Sequence, residues 1–100
     1  MEKRKAHYPL PTVKALASAR RVRVTKTAVE GGAAMGFGVP DMVEVIANLT
    51  GRNLYKSMTS HADHKVWHDV YHVDTEKGAV YLKLTVIEDL LIVSFKEKSE

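Results

Sequence analysis

The sequence predicts an α+β domain, with N-terminal helices packed on one face of a mostly antiparallel, twisted sheet. Two observations carry that expectation. Apolar residues recur at helical spacing up to Leu49 and at strand spacing from Leu54 onward. The change of period happens once, so helices and strands are segregated along the chain rather than alternating. The 100 residues suit a single domain, 1–100, and no repeat, linker or low-complexity tract divides them.

Pro9 and Pro11 flank Leu10 and suit a helix start, because proline is tolerated in the first turn. Val13, Leu16 and Ala17 follow at helical spacing, and Arg20 and Arg21 complement the C-terminal end of the dipole. A short strand, Val22 to Val24, comes next. Thr27 with Glu30 reads as a capping box for a second helix. Gly31 and Gly32 should keep that helix short, at roughly 1 kcal/mol each relative to alanine. Pro40 opens a third helix, whose buried stripe is Met42, Val45, Ile46 and Leu49. Gly51 is its expected stop.

Four strands are expected after that: Leu54–Ser60, Val66–Val73, Ala79–Ile87 and Leu90–Lys96. Glu88-Asp89 is the only break between the last two. Read as a two-residue hairpin turn, it sets Ile87 against Leu90, Thr85 against Ile92, Lys83 against Ser94 and Tyr81 against Lys96. Tyr81, Lys83, Ser94 and Lys96 then share one polar face, and Val80, Leu82, Leu84, Val93 and Phe95 share the buried one. Such a face is commonly just the wet side of a half-exposed sheet. Two lysines beside a tyrosine nevertheless have chemical potential, because neighbouring ammonium groups depress each other's pKa and that of a nearby phenol.

The formal net charge is +3. The cations are concentrated early: Lys3, Arg4, Lys5, Lys14, Arg20, Arg21, Arg23 and Lys26 stand against Glu2 alone in the first 26 residues. Such a segment suits a polyanion, and equally a solvated surface. There are no cysteines, which excludes disulfides and thiolate zinc sites and suits a reducing cytoplasm. No apolar stretch follows the basic N-terminus, so no signal peptide is expected, and no run is long enough for a membrane span. His61, His64, His68 and His72 would suggest a metal site on a helix. The segments around them read as loop and strand, which scatters the imidazoles, so no metal or other cofactor is expected.

Four segments carry a family resemblance: Leu54-Tyr55-Lys56-Ser57-Met58-Thr59, Val66-Trp67-His68-Asp69-Val70-Tyr71, Gly78 through Ile87, and Leu91-Ile92-Val93-Ser94-Phe95-Lys96-Glu97. With Met1-Glu2-Lys3-Arg4 and the helix spacing, they resemble the motility quorum-sensing regulator (MqsR-type) mRNA interferases over nearly the whole chain. The resemblance implies a RelE-like fold and a cytoplasmic toxin of a toxin–antitoxin pair that cleaves mRNA, preferentially at GCU-type sequences. It also implies an antitoxin partner with a zinc-binding domain and a helix-turn-helix domain, the zinc belonging to that partner.

The family's proposed catalytic positions fall on Lys56, His68, Tyr81 and Lys96. The best-known member has glutamine where His68 stands, and only histidine of the two can carry a proton near neutral pH. The implied reaction is attack of a ribose 2′-OH on its own 3′-phosphate, leaving a 2′,3′-cyclic phosphate and a free 5′-OH. On this reading Lys56 and Lys96 stabilise charge, Lys56 or Tyr81 is the base and His68 is the acid. Lys83 and Arg52 are expected to bind RNA phosphates. The loop before Gly78 leaves the face of His68 open: four residues, Asp74–Lys77, put it beside Tyr81, and five turn it away. Tyr55 and Trp67 could hold bases, although core packing is the expected role of each. Phe37 and Val39 are expected in a loop packed on its own core rather than against an antitoxin. The alternative to an enzyme is a non-catalytic regulator that binds nucleic acid or protein. It is disfavoured because the third helix is acidic at Asp41 and Glu44 and makes a poor recognition helix.

Overall fold

In the computed structural model, which describes residues 1–99, three α-helices and six strands form among the described residues. The helices are α1 (Leu10–Ser18), α2 (Lys26–Ala34) and α3 (Val39–Ala47). The strands are β1 (Glu2–Lys3), β2 (Val22–Val24), β3 (Leu54–Thr59), β4 (Trp67–Thr75), β5 (Gly78–Ile87) and β6 (Asp89–Glu97). Their spatial order is β1-β3-β4-β5-β6-β2. Every pair is antiparallel except β2 with β6. The expected α+β architecture is the one observed, with an additional two-residue edge strand, β1.

Val13, Ala17, Ala28, Met42, Ile46 and Leu49 from the helical half meet Tyr71, Val80, Leu82, Leu84, Leu90, Ile92 and Phe95 from one face of the sheet. Phe37 joins this core, its ring centroid 5.0 Å from that of Phe95, while Val39 stays exposed. The other face of the sheet is left clear for polar side chains.

Helix ends are settled by tertiary contacts as much as by local signals. The Arg20 and Arg21 N–H groups donate to the Ala17 and Leu16 carbonyls at 3.1 and 2.9 Å, closing α1 in a Schellman turn. Arg20 adopts the left-handed φ of 62° usually taken by glycine, at a cost of roughly 1 kcal/mol. Helix α2 is capped by Thr25, two residues before the expected cap Thr27. The Thr25 hydroxyl accepts from the Ala28 N–H at 3.1 Å and donates to the Val93 carbonyl at 2.8 Å, so the end of β2 dictates where the helix starts. Gly31 and Gly32 serve packing here. A Cβ on Gly31 would overlap the Phe95 carbonyl oxygen, and one on Gly32 would overlap the Met42 methyl. Bareness at Gly31 lets α2 lie directly on β6, and bareness at Gly32 admits the Met42 side chain of α3.

The β5–β6 turn departs from the expected register and then returns to it. Glu88 alone forms the tip, with φ 65°, so Ile87 faces Asp89 and Leu84 faces Ile92. A bulge at Val93, opposite the Lys83/Leu84 step, absorbs the one-residue difference. Beyond it Lys83 faces Ser94 and Tyr81 faces Lys96, as the sequence predicted. Ile92 therefore takes the buried place expected for Val93, which is only partly buried.

Candidate active site

The clear face of the sheet is built from alternate residues of β3 to β6. Perpendicular to the strands it forms three rows. His72, Tyr81 and Lys96 make the first, paired His72–Tyr81 and Tyr81–Lys96. Lys56, Val70, Lys83 and Ser94 make the second. Met58 and His68 lie in the third. Rows are roughly 7 Å apart and strands ~4.8 Å apart. Lys83 therefore stands between Tyr81 and His68, and His68 is roughly 13 Å along β4 from His72.

This arrangement rests on the β4–β5 hairpin. The expected loop of four or five residues is a two-residue turn, Glu76-Lys77, because pairing continues out to Thr75–Gly78. Gly78 takes φ 117°, and the Thr75 hydroxyl donates to its carbonyl at 2.7 Å. His68 falls on the Tyr81 face, but the residue directly opposite Tyr81 is His72. Sequence reasoning did not single out His72 for this site; the hairpin register is what places it there.

A second irregularity adds a side chain to the face. Pairing of β3 with β4 shifts between Leu54 and Lys56, and the bulge turns both Tyr55 and Lys56 outward. Tyr55 was expected in the core and is instead 42% exposed, stacked on His72 with centroids 4.2 Å apart and planes 19° apart. Trp67 is partly buried elsewhere, stacked on His7 at 5.1 Å with the Lys3 ammonium 4.3 Å from its ring centroid. Arg52 is exposed on the short 3-10 turn Gly51–Asn53 that precedes β3, outside the three rows.

The charges are differentiated. Lys56 donates to Glu2 Oε2 at 2.8 Å, delivered by edge strand β1. This bond holds the Lys56 ammonium above the usual lysine range and the Glu2 carboxyl below the usual carboxylate range. Burial pushes Lys83 down, and Lys96 and Lys56 add to the effect. Burial also lowers His68, with Lys83 contributing and Asp69 opposing. His68 Nδ1 is buried and makes no hydrogen bond within the protein. The Lys96 ammonium lies 5.2 Å from the Tyr81 ring centroid. Lysines grouped on one face, with a phenol between them, can hold a phosphodiester and neutralise charge developing on it.

Two other features bear on the choice of site. Among the described residues, no three His, Cys, Asp or Glu side chains gather as a metal cage. The groove of about 230 Å³ between α3 and the β4–β5 turn is lined by Asp41, Glu44 and Glu76 beside Lys77, a charge balance that disfavours a polyanion.

Residues 5–97 match the family described as motility quorum-sensing regulator, toxin of MqsA. The chain belongs to this toxin family. It is 48% identical over 98 residues to a relative from Escherichia coli (strain K12) named "mRNA interferase toxin MqsR", covering 98% of this chain and 100% of that one. The family likeness thus extends over helices and strands alike. In this motility quorum-sensing regulator toxin, no helix among the described residues is long and apolar enough to cross a membrane.

The histidines give this family member a pH signature. His68 and His72 both titrate below the ordinary 6.5 in the folded protein, chiefly through burial. The unfolded chain binds those protons first as pH falls, so the stability associated with the neutral rings is complete above ~6.5 and is lost as pH drops through the lowered folded values. A plot of Tm against pH should fall below pH ~6.5 and be flatter in a His68→Gln/His72→Gln variant. Parallel curves for the two proteins would assign the acid limb to other groups.

Proposed function

We propose that the protein is a toxin of a type II toxin–antitoxin pair, an endoribonuclease that cleaves mRNA and so inhibits translation and growth in the cytoplasm. One observation carries the reading: Lys56, Lys83, Lys96 and Tyr81 meet on one sheet face, in a chain 48% identical to a relative named an mRNA interferase toxin. We assign the reaction to 2′-OH attack on the adjacent phosphate, without a metal ion of its own, at GCU-type sequences. The partner that restrains it is an antitoxin carrying zinc-binding and helix-turn-helix domains.

The roles follow from the differentiated charges. Lys56, kept protonated by Glu2, and Lys96 stabilise the negative charge that develops on the phosphorane-like transition state. Lys83, whose proton is loosened by burial and by its neighbours, is the better base than Lys56 for the 2′-OH. Tyr81 orients the phosphate and protonates the leaving 5′-oxygen. His68 is held neutral, and the tautomer protonated on Nε2 leaves the buried Nδ1 as a lone pair rather than an orphaned N–H. In that form it is a hydrogen-bond donor, a role an amide could also fill, rather than the acid expected from its residue type. Arg52 contacts RNA phosphate beyond the catalytic rows.

Incubation of purified protein with a GCU-containing RNA in excess EDTA tests the reading. Fragments ending in a 2′,3′-cyclic phosphate are expected. Cleavage only after metal is restored would overturn the lysine-based chemistry, and no cleavage in either condition would overturn the nuclease assignment. The Glu2–Lys56 pair supplies a further check. The carboxylate competes with RNA phosphate for Lys56, so Glu2→Gln should lower KM about 2- to 5-fold at low ionic strength, with the gain disappearing in high salt. A higher KM would instead give Glu2 a role in positioning Lys56.

A further inference from the structure

We infer that Tyr55 and His72 form a stacking subsite for one unstacked nucleobase, next to the phosphate held by the lysines. The inference rests on the ribonuclease reading and adds to it a residue that the reaction itself does not require. The β3 bulge turns Tyr55 and Lys56, consecutive in sequence, to the same side. Tyr55 lies nearly parallel to His72, within 19°, and His72 stands 5.9 Å from Tyr81 with planes inclined at 42°. The three rings line a cleft of about 320 Å³ completed by Lys96, Glu97 and Lys98.

This is an open aromatic surface surrounded by cations. Arg4 and Lys56 approach the Tyr55 ring at 5.8 and 5.5 Å, and Lys96 approaches Tyr81 at 5.2 Å. Rings that offer a π-face beside a basic track are the shared requirement of single-strand binding: cations follow the backbone and rings take the bases. Packing alone does not account for the arrangement, because a core tyrosine would not remain 42% exposed on the charged side of the sheet. His72 is pushed toward its neutral form, mainly by burial and secondarily by Lys98. A neutral imidazole keeps one donor and one acceptor at its edge, so the subsite can discriminate between bases as well as stack on them.

The test separates binding from cleavage. A single-stranded RNA made uncleavable by 2′-fluoro substitution is scanned with one 2-aminopurine, and in a parallel series with one abasic nucleotide, through and around the GCU. At one position the wild-type protein should quench 2-aminopurine, and the abasic strand should bind about 5- to 150-fold more weakly. Both effects should vanish in His72→Ala and return in His72→Phe, which restores a ring. Wild-type and His72→Ala proteins with the same profile at every position would overturn the subsite. So would a His72→Phe variant that fails to recover while its circular dichroism matches the wild type. Cleavable RNA tested alongside distinguishes the two readings: cutting with no base-specific loss in His72→Ala refutes the subsite alone, and quenching without cutting refutes the nuclease alone.

Discussion

Changing Lys96 to alanine is expected to lower kcat for RNA cleavage about 100- to 1,000-fold and to leave KM nearly unchanged. The reason is where the charge falls. Lys96 is one of several cations available to ground-state RNA, so its loss removes little binding. It stands directly across from Tyr81, where the proposed reaction develops negative charge only as the phosphorane forms, so its loss should be felt in the transition state. The register that sets it there is not easily deformed. Gly31 of α2 lies against the Phe95 carbonyl and the Lys96 Cβ with no room for a side chain between them, so helix and strand lock the backbone that carries the lysine. Tyr81→Phe removes one hydroxyl and keeps the ring, and should cost a comparable factor. The two changes act on one phosphate, so the double variant should lose much less than the product of the single losses. Steady-state kinetics on a short GCU-containing RNA decides the matter. A raised KM with unchanged kcat in both variants would mean that these side chains only hold RNA, and the chemistry would then have to be sought around Lys83 and His68.

The Tyr81–Lys96 pairing was legible in the sequence because alternation in two long strands and a single break between them constrain the register strongly. It was legible despite a wrong turn. The sequence offers Glu88-Asp89 as a two-residue turn, but Asp89 is already in strand β6 and accepts from Arg21 Nε at 2.8 Å, while the Leu90 N–H donates to the Arg21 carbonyl at 3.0 Å. A parallel strand from the other end of the chain thus draws the start of β6 toward it, and no local signal near residue 88 records that pull. The compensating bulge at Val93 is equally silent. The same limitation hid the outward turn of Tyr55 and the place of His72. An outward Tyr55 requires a bulge, and an imidazole opposite Tyr81 requires a hairpin closed by two residues. Each is a count of residues that alternation alone leaves undetermined. Edge strand β1 is two residues long, too short to show any period, so the Glu2 partner of Lys56 was also out of reach.

The largest expected loss of stability comes from a residue that no sequence pattern singles out. Asp69 is fully buried on β4, and on sequence it is only an acid near four histidines. Its two oxygens accept from the backbone N–H groups of His7 and Tyr8 at 3.0 and 2.9 Å. The Tyr8 hydroxyl continues the network to the Trp67 carbonyl at 3.0 Å and lies 2.9 Å from the Thr85 hydroxyl, which itself donates to that carbonyl at 2.8 Å. A charge is worth burying when each oxygen has a donor. Asp69→Ala removes both acceptors and strands two backbone donors, at a cost of about 3–5 kcal/mol. For a domain of this size that corresponds to a Tm lower by roughly 15–30 °C. Because the clamp is buried, its contribution should resist added salt, unlike that of the exposed Glu2–Lys56 pair. Tyr8→Phe should lose only about 1 kcal/mol, since Thr85 still satisfies the Trp67 carbonyl. Thermal unfolding of the two variants at low and high salt measures all of this. A change below about 1 kcal/mol for Asp69→Ala would mean that the segment before α1 is held by packing alone. The predicted loss would mean that one carboxylate beneath the sheet fixes the segment that brings Glu2 and Arg4 to the lysine-bearing face, so the fold and the proposed site depend on the same buried group.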